Sequence, residues 1–376
     1  MNTNYLIKAN MLTPVHVGAG QEKKLNQYLD FFYKDRKIVL VDTSKIYHSL
    51  SEKERLVFVN HLSDSRLPEF GSYLIDTCKL NIDDFKIGEI DCPGSKPMQE
   101  VFPLISTAGA NGRSVYLPGS SVKGAIRSVL YAYLYHQGKG ANEKDIFGTI
   151  DRNLMSLIQV SDAPFKTSRI INCKIFNLFN DAGRWTAGWK HEKRKTNETF
   201  STTGFVTSYE VFGLNESTNF TIKLNKERIE YLKLSQHNIQ GKSPLPPNYQ
   251  IIEKLDVPGL FEIINWHTRM YLNAELDFFK NYNNQEPYSE TIIAFIEDLI
   301  TKVPDNNRNC ILHLGCGSGF HGITGDWKYA RDHTDTGYDK NEKIKYKSRK
   351  MAFRKIQGNP DFDIMPMGFM KLTVTI

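Results

Sequence analysis

Two cations and several small residues stand together at the start of a predicted helix, in the segment YLPGSSVKGAIRSVLYAYLYH (116–136). Lys123 and Arg127 fall within its first two turns, where the helix dipole disfavours positive charge. A bound anion would reverse that penalty, and Gly119 and Gly124 would let it come close to backbone N–H groups. This combination predicts a phosphate site at the helix N-terminus that holds a sugar-phosphate backbone without reading bases.

The same segment also has a simpler interpretation. Apolar residues recur every three or four positions from Val122, which is the pattern of an amphipathic helix with one buried stripe. Ser120 or Ser121 can act as its N-cap. Lys123 and Arg127, four residues apart, share a different face from that stripe. A capped helix with solvated charges would therefore produce this sequence without any ligand.

A second glycine-containing turn follows the first predicted strand, in TPVHVGAGQE (13–22). A proline followed by Gly18 and Gly20 is typical of a tight turn at which the backbone can lie close to a ligand. His16 could pack in the core, donate to a phosphate or take part in acid–base chemistry. The residues alone leave these three roles open.

A third glycine-rich stretch, LHLGCGSGFHGITGD (312–326), contains the LGCGSG pattern of many S-adenosylmethionine-dependent methyltransferases. In that fold the motif ends the first strand of a parallel sheet, and an acidic residue follows at the end of the second strand. Too few residues remain here for the other strand–helix units, and His313 stands where such enzymes usually carry an acid. A glycine-rich loop packed against an RNA backbone is therefore the preferred prediction.

Positive charge is concentrated in two further segments. The chain has 48 lysine and arginine residues against 42 acidic ones, a formal net charge of +6. The excess clusters at 183–195 and 340–355, where Trp185, Trp189 and Phe353 are among the interspersed aromatic residues. Cations for phosphates and flat rings for bases are typical of a single-strand nucleic-acid surface. A solvated loop and a solvated helix face would have the same composition.

Composition and pattern predict an α+β protein of two domains. Five scattered cysteines without a CxxC pair indicate a reducing compartment. No apolar run is long enough for a membrane span and no signal peptide is expected, so the predicted location is the cytoplasm. The main predicted strands, hairpins and helices are 5–17, 157–163 and 369–376 (strands), 28–41 and 208–224 (hairpins), and 43–60, 256–280 and 288–302 (helices).

Taken together, these motifs resemble the RAMP superfamily of CRISPR-associated proteins. TPVHVGAG after the first strand, then YLPGSSVKGAIR, then a late glycine-rich loop carry the resemblance. VSDA (160–163), YEVF (209–212) and the closing PMGFMKLTV are weaker matches. The order and the long insertions most resemble the fifth subunit of the type III-A Csm effector complex.

The resemblance implies two ferredoxin-like (RRM-like, βαββαβ) units with helical insertions. The first would occupy residues 1–240, with insertions at about 43–110 and 165–205, and the second residues 241–376 with the glycine-rich loop. It also implies a non-catalytic RNA-binding subunit without cofactor or metal. Such a subunit caps the backbone subunits at the 3′ end of the CRISPR RNA and supports 3′-end maturation.

The implied partners are the CRISPR RNA, target RNA, neighbouring Csm backbone subunits and host nucleases that trim the RNA, with no membrane. The residues expected to contact RNA come from the glycine-containing segments and the first basic segment. They are His16, Gly18, Gly20, Gly119, Ser120, Ser121, Lys123, Arg127, Arg184, Lys190, Lys193, Arg194, Gly317, Ser318, Gly319, Phe320 and His321.

Two enzymatic alternatives stay open. Backbone subunits of this superfamily carry a target-cleaving aspartate downstream of the HxG turn, and Asp30 falls near that place. Its surroundings, QYLDFFY, look like a buried strand and lack the IGxxD pattern that exposes the acid on a loop. A metal-dependent endoribonuclease using Asp30 or His16 is the first alternative, and an S-adenosylmethionine-dependent methyltransferase is the second.

Overall fold

The computed structural model describes most of the chain. The described residues are 4–20, 23–63, 67–94, 96–109, 112–181, 184–191, 199–235, 245–281, 287–318, 346–355 and 362–375. Helices and strands are mixed throughout, so the α+β prediction is confirmed. Among the described residues, no helix combines the length and apolar content that crossing a bilayer requires.

The strands that the structure describes are, in chain order, β1 (Asn4–Met11), β2 (Leu25–Asn26), β3 (Phe31–Lys34), β4 (Lys37–Val41), β5 (Lys86–Asp91), β6 (Glu100–Phe102), β7 (Ser106–Gly109), β8 (Gly112–Leu117), β9 (Ile158–Val160), β10 (Ala163–Phe165), β11 (Ser168–Asp181), β12 (Arg184–Trp189), β13 (Val206–Phe212), β14 (Ser217–Leu224), β15 (Asn309–His313), β16 (Tyr346–Lys355), β17 (Phe362–Pro366) and β18 (Phe369–Val374). The α-helices are α1 (Thr43–Ser49), α2 (Glu52–Ser63), α3 (Leu67–Ser72), α4 (Gly119–His136), α5 (Glu143–Phe147), α6 (Lys226–Ser235), α7 (Tyr249–Lys254), α8 (Val257–Asn281) and α9 (Pro287–Lys302).

A five-stranded antiparallel sheet joins the two ends of the chain. Its order is β15-β18-β1-β14-β9, and β18 pairs with β1 from Ile7 opposite Val374 to Met11 opposite Met370. With α4 between β1 and β9, and α8 between β14 and β18, four of these strands have the order of a ferredoxin-like βαββαβ unit. Because this sheet takes strands from both ends of the chain, the predicted boundary near residue 240 does not separate the sheets.

Helices α4 and α8 cover this sheet with their apolar faces. The stripe predicted for α4 is buried, with Val122 and Ile126 fully inaccessible and in one core with Ile7 of β1. Helix α8 adds Leu260 and Ile264 to the same core. Each such side chain contributes roughly 1.5–3 kcal/mol by leaving water, so this core fixes the position of α4 on the sheet.

The edge strand β15 is protected by polar side chains of α8. The Asn265 side chain donates to the carbonyl of Asn309 (2.9 Å) and accepts from the N–H of Ile311 (3.1 Å). The Thr268 hydroxyl donates to the carbonyl of Ile311 at 2.6 Å. These bonds satisfy backbone groups that an edge strand would otherwise leave open. They also hold the strand that leads into the LGCGSG loop.

The rest of the described β structure is a three-stranded sheet of order β10-β8-β7 and a larger sheet of ten strands. Its main order is β2-β6-β13-β11-β5-β4-β3, with β12 and β16 also paired to β11, and β17 to β16. The predicted hairpin over 28–41 is confirmed as β3 and β4, joined through Asp35 and Arg36 at φ 50° and 58°. Two consecutive left-handed residues are typical of a type I′ turn.

The hairpin predicted over 208–224 is wrong, although both of its strands exist. Strand β13 pairs with β11 in the larger sheet, whereas β14 pairs with β1 and β9 in the five-stranded sheet. The loop between them therefore carries the chain from one sheet to the other. The predicted insertion after residue 43 begins with α1–α3, which share a small core with β3 and β4 through Phe32, Phe58 and Phe70.

Candidate nucleic-acid interface

The three glycine-containing segments meet at one cavity of about 380 Å³. The first segment supplies the turn after β1, the second supplies one face of α4, and the third supplies the loop after β15. The cavity is lined by His16, Val17, Gly18, Ser121, Gly124, Ala125, Ser128, Val129, His267, His313, Leu314, Gly315 and Cys316. The structure thus brings together His16, Gly18 and Ser121 of the residues predicted to contact RNA.

Backbone hydrogen bonds hold the first and third segments together. The N–H of Cys316 donates to the carbonyl of His16 at 3.1 Å. The N–H of Gly368, in the closing PMGF segment, donates to the carbonyl of Pro14 at 2.8 Å, and its own carbonyl accepts from Leu314 at 2.8 Å. The closing segment therefore links the other two, and the walls of the cavity are fixed by main-chain contacts rather than by flexible side chains.

Glycines in the third segment allow close packing of the chain on itself. Gly315 has φ +85°, and a Cβ there would lie 2.5 Å from the carbonyl oxygen of His16. A Cβ on Gly317 would lie 2.2 Å from the Cβ of Met367. Since real Cβ atoms do not come this close to other atoms, both positions require glycine. Gly317, predicted to contact RNA, is packed against the closing segment and is not part of the cavity wall.

The methyltransferase interpretation of LGCGSG is wrong for this fold. The strand before the motif, β15, pairs antiparallel with β18 and lies at the edge of an antiparallel sheet. A dinucleotide- or nucleoside-binding glycine loop instead follows a strand of a parallel sheet. The glycines serve chain packing beside His16.

His16 is buried and anchored by one side of its ring. Only 3% of the residue is exposed. Its Nδ1 lies 2.7 Å from the carbonyl oxygen of Glu210, and its ring meets that of Tyr209 edge-on at 4.9 Å between centroids. Because a carbonyl can only accept, Nδ1 carries the proton and Nε2 is left as an acceptor. Burial lowers the pKa of His16 to about 4, so the ring is neutral near pH 7.

The strand that anchors His16 is itself fixed by a buried ion pair. The Glu210 side chain is fully buried, and Arg113 donates to both of its carboxylate oxygens at 2.5 and 2.6 Å. Ser168 Oγ (2.6 Å) and the N–H of Leu104 (2.8 Å) donate to the same carboxylate. A buried carboxylate is tolerated when its oxygens are satisfied in this way. The carbonyl that holds His16 is therefore rigidly placed.

Helix α4 presents the cavity residues and the predicted cations on different faces. Ser121 and Gly124 line the cavity, whereas Lys123 and Arg127 lie one residue further round the helix, about 100° away. Arg127 donates to Glu143 at 3.0 Å, and its guanidinium carbon lies 4.4 Å from the ring centroid of Phe147. Burial lowers the pKa of Lys123. The structure does not bring these two cations into the cavity, because they lie on a different face of α4, where Arg127 contacts α5.

The chain provides its own anion at the N-terminus of α4. The N–H of Gly119 donates to Asp162 Oδ1 at 2.7 Å. A Cβ on Gly119 would lie 2.3 Å from the carbonyl oxygen of Val160, so glycine is required for the VSDA segment to pack here. The carboxylate occupies the place predicted for a phosphate, and its negative charge interacts favourably with the helix dipole as a phosphate would. Sequence reasoning missed Asp162, although the VSDA match marked it. Ser120, in the first turn, is exposed.

The two basic segments contribute strands β12 and β16, so some of their residues are buried. Trp189 of β12 is fully buried and Phe353 of β16 is 2% exposed, so both rings are core residues rather than platforms for bases. Arg349 of β16 is also buried, and it donates to Glu275 of α8 at 2.6 and 2.8 Å. The sequence analysis therefore overestimated how many cations and aromatic rings of these segments are available to RNA, because alternate residues of a strand face the core.

The other described residues predicted to contact RNA lie in strands, turns or segments outside the cavity wall. Lys190 follows β12, with its Nζ 3.9 Å from the ring centroid of Phe205. Arg184 begins β12, Gly20 has φ +115° in the turn after His16, and Ser318 ends the short helical turn Cys316–Ser318. The remaining predicted contacts lie outside the described residues: Lys193, Arg194, Gly319, Phe320 and His321.

One cation beside the cavity was not singled out from the sequence. Lys350 of β16 lies with its Nζ 5.0 Å from the ring centroid of Tyr209, the ring that packs on His16. It neighbours Arg349 in sequence but faces the other side of the sheet, because side chains alternate along a strand. Strand alternation within 340–355 was the signal that could have separated Lys350 from its buried neighbours.

Asp30, the candidate nuclease residue, supports a turn. Its Oδ2 accepts from the backbone N–H of Asn26 at 2.7 Å and from the Asn26 side-chain amide at 3.3 Å. The residue lies in the turn before β3 rather than within a strand. Within the described ranges, no three His, Cys, Asp or Glu side chains are grouped so that they could hold a metal ion.

Comparison with known proteins defines the class. The sequence matches the RAMP superfamily over residues 8–320, so the chain belongs to that superfamily. Two curated relatives, both named CRISPR system Cms protein Csm5, are similar to parts of it. The relative from Methanocaldococcus jannaschii is 27% identical over 165 residues, 42% of this chain and 34% of that protein. The relative from Streptococcus thermophilus is 27% identical over 197 residues, 43% of this chain and 52% of that protein.

The aligned regions span about a third and about half of these relatives, but fold similarity covers nearly the whole chain. A chain in the cryo-EM structure of a Csm–crRNA–target RNA ternary complex in a type III-A CRISPR-Cas system superposes with a TM-score of 0.60 at 18% identity, covering 99% of this chain and 100% of that one. The crystal structure of T. onnurineus Csm5 gives 0.57 at 16% identity, covering 96% and 99%. The family and fold class predicted from the motifs are confirmed.

Proposed function

We propose that this chain is a non-catalytic, RNA-binding subunit of a type III-A Csm effector complex. Its place would be the end of the backbone that carries the 3′ region of the CRISPR RNA, where it supports 3′-end maturation. Its partners would be the CRISPR RNA, target RNA, neighbouring Csm backbone subunits and host nucleases that trim the RNA. Similarity to Csm5 relatives and to a chain of a Csm–RNA complex supports this assignment.

The observation that carries RNA binding is the convergence of all three glycine-containing segments on one cavity. They come from distant parts of the chain; main-chain hydrogen bonds join the first and third segments, and apolar packing holds α4 on the sheet. The wall presents backbone, small side chains and Gly124, where a Cβ would meet none of the described atoms within 4 Å. Such a surface lets a sugar-phosphate strand approach closely without selecting for base sequence.

Lys350, beside the cavity, is the cation best placed to meet a phosphate. Its Nζ lies over the ring of Tyr209, which packs edge-on against His16, so only one side chain separates the lysine from the cavity wall. Lys123 and Arg127 have a smaller part in this proposal, because Arg127 is already paired with Glu143 and stacked on Phe147.

Binding of the purified chain to single-stranded RNA, measured by fluorescence anisotropy over a range of salt concentrations, tests the first part. We expect similar affinities for unrelated sequences and a steep loss of affinity with salt. Lys350→Ala should weaken binding to all sequences alike and reduce the slope of log affinity against log salt by about 1. The double variant Lys123→Ala, Arg127→Ala is the matched comparison and should reduce the affinity less. No binding, or a larger effect of the double variant, would contradict the cavity as the RNA site.

The proposed position at the 3′ end can be tested only in the assembled complex. We would assemble the Csm complex on CRISPR RNA in cells that express either this chain or its Lys350→Ala variant, and map the RNA ends by sequencing. The proposal expects heterogeneous or longer 3′ ends with the variant and unchanged 5′ ends. Changes confined to the 5′ end would contradict the 3′ placement.

The nuclease alternative has little support from the geometry. The Oδ2 atom of Asp30 caps the turn at Asn26, and the His16 ring is held neutral with Nδ1 bound to a carbonyl. Incubating the purified chain with labelled RNA, with and without a divalent metal, tests this directly. Cleavage that Asp30→Asn abolishes would establish the enzyme and overturn the non-catalytic proposal.

A further inference from the structure

His16 presents a hydrogen-bond acceptor to a cavity whose described wall carries no formal charge. Its Nδ1 side is used by the carbonyl of Glu210, and within the described part of the chain no hydrogen bond engages Nε2. The Nε2 atom lies beside Gly18, another residue of the cavity wall. An imidazole acceptor in a cavity wall can take a hydrogen bond from a donor on a ligand.

Gly18 keeps the approach to this acceptor open. A Cβ at this position would lie 2.7 Å from His16 Nε2 and would cover it. The φ angle of Gly18 is not left-handed, and the residue forms an isolated β-bridge with Leu104, so backbone conformation does not by itself require glycine here. The small residue therefore serves access to Nε2.

The chemistry of the wall favours a sugar over a phosphate. Its described residues include no carboxylate, lysine or arginine, and serines and apolar side chains surround the histidines. Burial lowers the pKa values of His267 to about 3 and of His313 to about 4, so these rings are also neutral near pH 7. A neutral, partly apolar pocket into which His16 Nε2 offers an acceptor matches the hydroxyl and C–H surface of a ribose.

We infer that His16 Nε2 accepts a hydrogen bond from a ribose 2′-hydroxyl and thereby makes the cavity prefer RNA over strands that lack this donor. The inference rests on the proposed RNA binding and adds a specificity-determining contact to it. The 2′-hydroxyl is the group through which a protein can distinguish RNA from DNA at a given site. Anchoring of Nδ1 by Glu210 fixes both the tautomer and the direction of the acceptor.

The test compares an unstructured RNA with a strand of the same sequence in which every 2′-hydroxyl is replaced by fluorine. Fluorine keeps a ribose-like sugar pucker but cannot donate. With the purified full chain at fixed salt, we expect the RNA to bind about two- to tenfold more tightly, the contribution of one neutral hydrogen bond. His16→Asn should bring this ratio close to one, because its amide can reach the Glu210 carbonyl but leaves no acceptor at the Nε2 position. His16→Gln, which places an amide oxygen near that position, should retain part of the preference.

The outcomes separate this inference from the proposed function. If the native chain binds neither strand, the RNA-binding function is wrong. If it binds both strands equally, RNA binding stands and the 2′-hydroxyl contact is refuted. If His16→Asn weakens both strands but keeps their ratio, His16 has only a structural role and the inference is also refuted.

Discussion

Replacing Gly124 with leucine should stabilise the protein and weaken RNA binding at the same time. Gly124 lies inside α4, and in the described part of the chain no atom lies within 4 Å of its Cβ position. Glycine inside a helix costs about 0.8–1.0 kcal/mol relative to alanine, and leucine costs little more than alanine. With no clash at the Cβ position and the cavity to hold the outer leucine atoms, we expect the free energy of unfolding to rise by about 0.5–1 kcal/mol.

The leucine side chain would project into the cavity, because Gly124 is part of its wall. A strand held there would lose its close approach to α4, and we expect at least about a tenfold loss of affinity, equivalent to about 1.4 kcal/mol. Urea denaturation measures the stability, and fluorescence anisotropy with single-stranded RNA measures the affinity. Opposite signs of the two effects exclude misfolding as the cause of weaker binding.

Ser120→Leu is the matched control. Ser120 is exposed in the first turn of the same helix and shares the face of Lys123 and Arg127. We expect its affinity for RNA to stay near that of the native chain. If Gly124→Leu binds normally while Ser120→Leu binds weakly, RNA follows the face of the two cations, and the cavity is not the contact surface.

Three further predictions concern the frame of the cavity. Glu275→Ala should cost about 3–5 kcal/mol in urea denaturation because it leaves Arg349 buried without its partner, and adding Arg349→Met should recover most of the loss; an additive double variant would contradict the pairing. Gly315→Ala should cost at least about 1–2 kcal/mol through its left-handed φ and should weaken RNA binding by displacing the His16 carbonyl, so unchanged stability would refute the packing argument. Burial lowers the pKa values of His16 and His313 from 6.5 to about 4, so the unfolded chain binds more protons in this range. Stability should therefore be fully present above pH 6.5 and fall by about 1.4 kcal/mol per pH unit for each histidine as the pH drops towards 4; a flat urea midpoint across that range would show that these rings are not held neutral.

Local patterns predicted the elements well where one face or one turn decides the structure. The apolar stripe from Val122 identified α4, and the two-residue turn at Asp35 and Arg36 closes the predicted hairpin of β3 and β4. The same kind of pattern failed for β13 and β14. Each strand was found, but alternation within a strand carries no information about which sheet it joins.

The candidate site depended on partners distant in sequence. The anion that compensates the dipole of α4 is Asp162, 43 residues from Gly119, so no local pattern could distinguish it from a bound phosphate. The composition of the segment 340–355 did not distinguish the two faces of β16, which the segment contains. Once the strand is formed, Arg349 turns into the core to meet Glu275, while Lys350 lies beside Tyr209 on the opposite face.

The glycines of the three segments can be separated by what a side chain would meet. At Gly119 and Gly315 a Cβ would strike backbone carbonyl oxygens of the chain itself, so these glycines are explained by packing alone. At Gly18 it would cover His16 Nε2, and at Gly124 it would meet no atom of the described residues within 4 Å. Glycine inside a helix lowers stability, and no contact with the described residues accounts for that cost at Gly124. Gly124 therefore lowers helix stability for no reason of packing, and it lines the same cavity as the acceptor His16 Nε2. A surface that binds a ligand closely would require a glycine at such a position.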